Sequence, residues 1–195
     1  LASVGASSSV QFLVLGFCIG ICCGFAIPVA QRFGAEDYGA MKRYVYHAMV
    51  ISAVAALVLT VVCALLCTKI LQVLSTPEDI FGGAYIYLLI IFLGIPFNIL
   101  YNLLSGILRA VGDSRTPFLF LAVSTCSNIV LDLFCILVLK WGVAGAAVAT
   151  ITSQAMSGIL CLIYMFRKVP LLHMERSHRL LQAAYVKRLL LMGLP

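Results

Sequence analysis

The sequence predicts an all-α, polytopic transmembrane helix bundle, and three observations predict it. The chain is 63% hydrophobic and 10% charged, whereas soluble domains carry roughly 25% charged residues. Its mean hydropathy is +1.12. The apolar residues gather into five runs, and the basic residues sort to one side of them. A surface this poor in charge excludes a water-soluble domain over most of its area.

The five expected spans are Val10–Gln31, Tyr44–Thr68, Ile80–Leu108, Pro117–Leu139 and Gly142–Phe166. Each is long enough to cross a hydrocarbon core of about 30 Å at about 1.5 Å per residue. The third is the longest and holds Pro96; proline removes a helical donor and crowds the preceding turn, so a kink or tilt is expected there. Pro28 is expected to bend the first span in the same way. The connections are short and carry breakers: Gly34, Gly39, Pro77, Gly112 and Pro117. Residues 1–168 read as one transmembrane unit. Residues 169–188 read as a linker, either an amphipathic helix at the interface or a solvated strand of chain. Residues 189–195 read as the start of a further span.

Orientation follows from Lys and Arg. Loop 32–43 carries Arg32, Lys42 and Arg43. Loop 109–116 carries Arg109 and Arg115, and tail 167–188 carries Arg167, Lys168, Arg176, Arg179, Lys187 and Arg188. The opposite side has only Lys69 and Lys140. An excess of this kind marks the cytoplasmic side, which places Leu1 outside and points to a span upstream. The net charge of +6 is explained by topology, and no nucleic-acid partner is expected. The implied partners are the bilayer, in a cell (plasma) membrane crossed several times, and the absent parts of the same polypeptide.

Eight cysteines lie in the apolar segments and are read as small, buried, reduced side chains. Cys63 and Cys67, and Cys18 and Cys22, are four apart, but no His stands at a matching offset for zinc. His47, at the cytoplasmic end of the second span, is read as a membrane-interface residue. The sequence contains no nucleophile elbow, zinc-protease motif or phosphate-binding loop, so no enzyme and no cofactor are expected.

One side chain breaks the pattern of the fourth span. Asp132 is its lone charge, and a carboxylate at that depth is costly enough to mark an ion or proton path. Asn128 and Ser124 precede it at four-residue intervals, which puts all three on one helical face. Counted inward from the turn near Lys140 and Trp141, Asp132 lies about 10 Å deep and Thr150 about 12 Å deep on the antiparallel fifth span. Asn128 and Gln154 are level one turn further in. Carboxylate, hydroxyl and amide oxygens at neighbouring heights suit a proton or Na⁺. Burial disfavours the ionised carboxylate, so Asp132 is the candidate proton- or cation-binding group, with Asn128, Thr150, Gln154 and Ser124 as the polar groups around it; the alternative for Asn128, Thr150 and Gln154 is hydrogen bonding that only packs helices. Gly16, Gly20 and Gly24 repeat every fourth residue and are read as a helix-packing face. Arg109 and Asp113 are spaced for an ion pair.

Three stretches taken together resemble the multidrug and toxic compound extrusion (MATE) family: AQRFGAEDYGAMKR at Ala30–Arg43, GILRAVGDSRTP at Gly106–Pro117, and the run from Ser127 to Gln154. Their order is similar to helices two to six of that family's amino-terminal six-helix lobe. The resemblance implies a two-lobe transporter of which this chain is a fragment, lacking helix one and the carboxy-terminal lobe. It implies export of cationic or amphipathic drugs or metabolites by antiport against H⁺ or Na⁺. It also implies a cation site in which Asn128 and Asp132 on helix five join Thr150 on helix six. The alternatives are a lipid-intermediate flippase of the same superfamily, which would carry basic side chains within its cavity, and a channel-like or structural membrane subunit.

Overall fold

The computed structural model describes residues 2–74, 76–172 and 182–193, with side chains from residue 8 onward. Seven α-helices are described: α1 Ala2–Gly34, α2 Tyr38–Val73, α3 Glu78–Leu93, α4 Ile95–Ala110, α5 Arg115–Leu133, α6 Gly142–Lys168 and α7 Ala183–Gly193. No strand occurs among the described residues. Helices α1, α2, α5 and α6 are each long and apolar enough to span a membrane, and α3 with α4 can form one broken span.

That break lies in the expected third span. The axis bends by 41° between Leu93 and Ile95. Pro96 sits in the first turn of α4, where its missing N–H is tolerated. Gly94 closes both ends: its N–H donates to Ile90 and Ile91, and its carbonyl accepts from Phe97 and Asn98. A Cβ at Gly94 would come within 2.6 Å of Ile151 Cγ1, so the corner seats closely on α6. Helix α1, by contrast, continues through Pro28.

Helix α4 is the central element. Ile95, Ile99, Leu103, Leu104, Ile107 and Leu108 line its buried side and pack with Cys22 and Phe25 of α1, Val45 and Ala48 of α2 and Cys161 and Met165 of α6. Helix α5 lies at the edge, buried only at Pro117 and Ser124, and joins α6 as a hairpin. The turn uses left-handed backbone at Lys140 (φ 54°) and Gly142 (φ 56°). Gly145 permits close contact, since a Cβ there would stand 2.9 Å from Cys135 Cβ. The outer faces are apolar, with Phe12, Leu13, Leu57, Leu65, Phe118 and Leu137 all exposed, as a lipid-facing surface requires.

The basic ends gather as the antiparallel order demands: Arg32, Arg109, Arg167 and Lys168 all close the last turns of α1, α4 and α6. Asp37 caps α2 by accepting from Ala40 N–H at 3.0 Å and pairs with Arg32 at 3.4 Å. Asp113 does not pair with Arg109. Its Oδ1 accepts from Thr116 N–H at 3.1 Å, which satisfies a donor that the start of α5 leaves free.

The boundary expected at Leu189 moves. Helix α7 begins at Ala183, and its first turn already meets α2 through Tyr185, which packs on Tyr44 and His47. A short 3₁₀ turn, Pro170–Leu172, follows α6. Within the expected linker, residues 173–181, including His173, Arg176, His178 and Arg179, lie outside the described residues. Six cysteines are buried and free, while Cys23 and Cys126 are exposed on outer faces, which corrects the expectation that all eight are enclosed.

Candidate functional site

Asp132 stands two residues before α5 loosens at Phe134. The next turn, Phe134–Val138, is π-helical, so Leu139 N–H reaches back to Phe134 O at 3.1 Å and Trp141 N–H to Cys135 O at 3.0 Å. Single π-turns inside α-helices are frequent at functional sites. Here the widened turn begins two residues after the carboxylate.

The Asp132 side chain is half-buried, and its Oδ1 is shielded with no hydrogen-bond partner among the described residues. Asn128, one turn back, is likewise half-buried, and its Nδ2 is shielded and without a partner. Buried polar atoms are overwhelmingly paired, and leaving one bare costs about 1–3 kcal/mol. Two such atoms in adjacent turns of one helix face therefore form a polar position that these helices do not complete by themselves.

Thr150 does not bond to Asp132. Its hydroxyl donates to Ala146 O, one turn back on α6, at 2.9 Å. A helical Thr meets its own i−4 carbonyl whenever no better acceptor is presented. Ser124 does link the hairpin: buried, its hydroxyl donates to Ser153 O of α6. Ser153 in turn donates to Thr150 O at 2.8 Å. Gln154 is half-buried on the same helix, and its carbonyl accepts from Ser157 Oγ at 2.9 Å. The serine bridge thus holds α5 against α6 within one turn of Thr150.

A further pair enters from helices that the sequence did not single out. The Tyr87 hydroxyl of α3 donates to Gln11 Oε1 of α1 at 3.1 Å. On α4, buried Asn98 accepts from Asn102 Nδ2 through its carbonyl at 2.8 Å and its Oδ1 at 3.2 Å. No cluster of three His, Cys, Asp or Glu able to hold a metal ion occurs among the described residues.

The three expected packing glycines divide. A Cβ on Gly24 would run into the backbone of Met192 and Gly193 in α7, whereas Gly16 and Gly20 meet nothing within 4 Å. The inward side of α1 is instead the one bearing Cys18, Cys22, Phe25 and Val29, so among the described helices only Gly24 closes a contact. A separate apolar cavity of about 440 Å³ lies between α2, α4 and α6, bordered by Met49, Ser52, Phe97, Leu100 and Leu162. It holds no charged side chain.

The MatE family profile matches residues 1–134. The chain is 33% identical over 167 residues to "Probable multidrug resistance protein YpnP" of Bacillus subtilis (strain 168), covering 86% of this chain and 38% of that protein. It is 34% identical over 79 residues to "Lipid II flippase MurJ" of Thermosipho africanus (strain TCF52B), covering 40% of this chain and 16% of that protein. Its fold matches the solved "Inward-facing conformation of a multidrug resistance MATE family transporter of the MOP superfamily" with a TM-score of 0.93 and 24% identity. That match covers 100% of this chain and 44% of the other. The chain spans well under half the length of these relatives.

Proposed function

The chain belongs to the multidrug and toxic compound extrusion (MatE) family, and from that premise we propose that the whole protein is a secondary antiporter. It exports cationic or amphipathic compounds in exchange for H⁺ or Na⁺. Asp132 is the coupling carboxylate, with Asn128 and Thr150 as supporting ligands, Ser124 tying the hairpin beside them and Gln154 as a supporting polar group. The basic ends of the bundle face the cytoplasm, and the membrane is the plasma membrane.

One observation carries this reading: Asp132 Oδ1 and Asn128 Nδ2 are shielded without partners, one helical turn apart. A cation or proton on the carboxylate removes the cost of that bare oxygen. The Asn128 amide can turn either its oxygen or its nitrogen toward the site, so it can serve an ion or a second acceptor. Thr150 can release Ala146 O and turn its hydroxyl oxygen inward when an ion draws it. These moves change how α5 lies on α6, between the Ser124–Ser153 bridge and the π-turn at Phe134–Val138. Loading and unloading one site can thereby shift a two-state packing of the hairpin. Oxygen ligands of these types serve H⁺ and Na⁺ alike.

The test is Asp132→Asn in the full-length protein, expressed in cells lacking other exporters. The expected result is normal membrane insertion with coupled efflux abolished. Efflux at the unsubstituted rate would overturn the assignment.

A further inference from the structure

His47 is not the interface residue that its position suggests. It is fully buried, and both ring nitrogens are engaged. Nδ1 lies 2.7 Å from Arg43 O, and Nε2 lies 2.9 Å from the backbone nitrogen of Gln182, the residue just ahead of α7. A carbonyl can only accept and an amide N–H can only donate. The geometry therefore fixes one neutral tautomer, with the proton on Nδ1 and a bare Nε2. The Gln182 N–H is one of the donors that a helix start leaves unmatched, so His47 of α2 supplies the acceptor that α7 lacks.

Packing reinforces the joint. The imidazole stacks on Tyr185 of α7 with centroids 5.2 Å apart and planes at 24°. Tyr44 meets the Tyr185 ring edge-on at 4.7 Å, and Tyr46 meets His47 at 5.8 Å. Beyond this joint α7 buries Leu189 and crosses α1 at Gly24. The seat of α7 on α1 and α2 thus begins at a single titratable acceptor.

We propose that His47 is a pH-read latch that holds the start of α7 against α2 when neutral and releases it when protonated. A proton arriving from solvent takes the Nε2 lone pair, the same pair that accepts the Gln182 N–H. Two N–H groups then face each other and the bond is lost. Arg43 stands one turn back on α2. Tyr46 and Tyr185 touch the ring, with Tyr44 behind Tyr185. Arg32, Asp37 and Arg188 line the adjoining cavity of about 470 Å³. The one carboxylate among them, Asp37, is held by Arg32. Among the described residues no carboxylate contacts the imidazole. Histidine is the side chain that ordinarily changes charge across the physiological range, so acidification opens the joint at Gln182 and loosens the start of α7.

Hydrogen exchange on the full-length protein in lipid nanodiscs reads the latch directly. Exchange of the amides from Gln182 to Val186 is compared at about pH 7.5 and about pH 5.5, either side of the ordinary histidine range, after correction for intrinsic rates. The unsubstituted protein is expected to lose roughly tenfold protection in acid, the scale of one net hydrogen bond. His47→Phe keeps a stacking ring but no acceptor, and should be poorly protected at both pH values. His47→Gln keeps an acceptor that does not titrate, and should hold its protection at both. Equal protection of the unsubstituted protein at the two pH values, protection in His47→Phe equal to the unsubstituted protein, or an acid response surviving in His47→Gln would each overturn the latch. Asp132→Asn should leave the exchange response intact, so failure of the latch and failure of the coupling assignment are separate results.

Discussion

Replacing Asp132 by Leu should make the protein more stable and useless as an exporter. The shielded Oδ1 of Asp132 has no partner, and a bare buried polar atom costs about 1–3 kcal/mol, more where the group is charged. Leucine removes that cost and fills similar space with apolar atoms. The net expectation is a gain of about 2 kcal/mol, or a rise in Tm on the order of 5 °C for a cooperative unit of this size. Unfolding can be followed with a thiol-reactive dye, because Cys18, Cys22, Cys63, Cys67, Cys135 and Cys161 are buried and free in the folded state. The second half of the expectation concerns linkage. A ligand that binds only the folded form adds about 2.7 kcal/mol at a concentration of about a hundred times its Kd. Added Na⁺ should therefore raise the Tm of the unsubstituted protein and leave that of Asp132→Leu unmoved, and added protons should raise the Tm of the unsubstituted protein relative to that of Asp132→Leu. A Tm lowered by several degrees in the variant, together with no response of the unsubstituted protein to either ion, would refute the reasoning. Asp132 would then be a satisfied structural acid.

Two more expectations come from the helix ends and crossings. Gly24→Leu drives a side chain into the backbone of Met192 and Gly193, where nothing can swing aside. It should cost about 1–3 kcal/mol, read as a lower Tm and as loss of cysteine cross-linking between engineered positions on α1 and α7. Asp113→Ala removes the acceptor for Thr116 N–H and should cost about 1 kcal/mol near neutral pH. Burial pushes the Asp113 carboxyl upward, but hydrogen bonds from Thr116, Tyr164 and the Arg115 backbone outweigh it and hold the group below its ordinary value. A depressed carboxylate contributes stability above its unfolded pKa and loses it as pH falls through the folded one. The difference between Asp113→Ala and the unsubstituted protein, followed by thermal unfolding against pH, should therefore persist at neutral pH and close below about pH 4.

Much of the bundle is legible because a bilayer imposes long apolar runs, and the breakers between them stand out. Pro96 announces the bend in the third span. Gly94 as the pivot is less visible, since its role depends on Ile151, which only folding brings near. The start of α7 is masked because Lys187 and Arg188 depress hydropathy across a stretch whose period is already helical. Asp132 declares itself by its cost in an apolar run, and Asn128 and Ser124 follow from the four-residue spacing. The hydroxyl of Thr150 could be placed in depth but not in direction, because its own helix offers a carbonyl. Tyr87 and Gln11 are 76 residues apart, and no local pattern pairs them. The burial of His47 depends on Gln182, 135 residues further along.

The most direct measurement is ion movement itself. Full-length protein is reconstituted in proteoliposomes loaded with an exported cationic dye, and the entry of H⁺ or Na⁺ is recorded as the dye leaves. The account predicts ion entry matched to dye exit in the unsubstituted protein, and neither in Asp132→Asn. Dye exit coupled to ion entry at the unsubstituted rate in Asp132→Asn would contradict it.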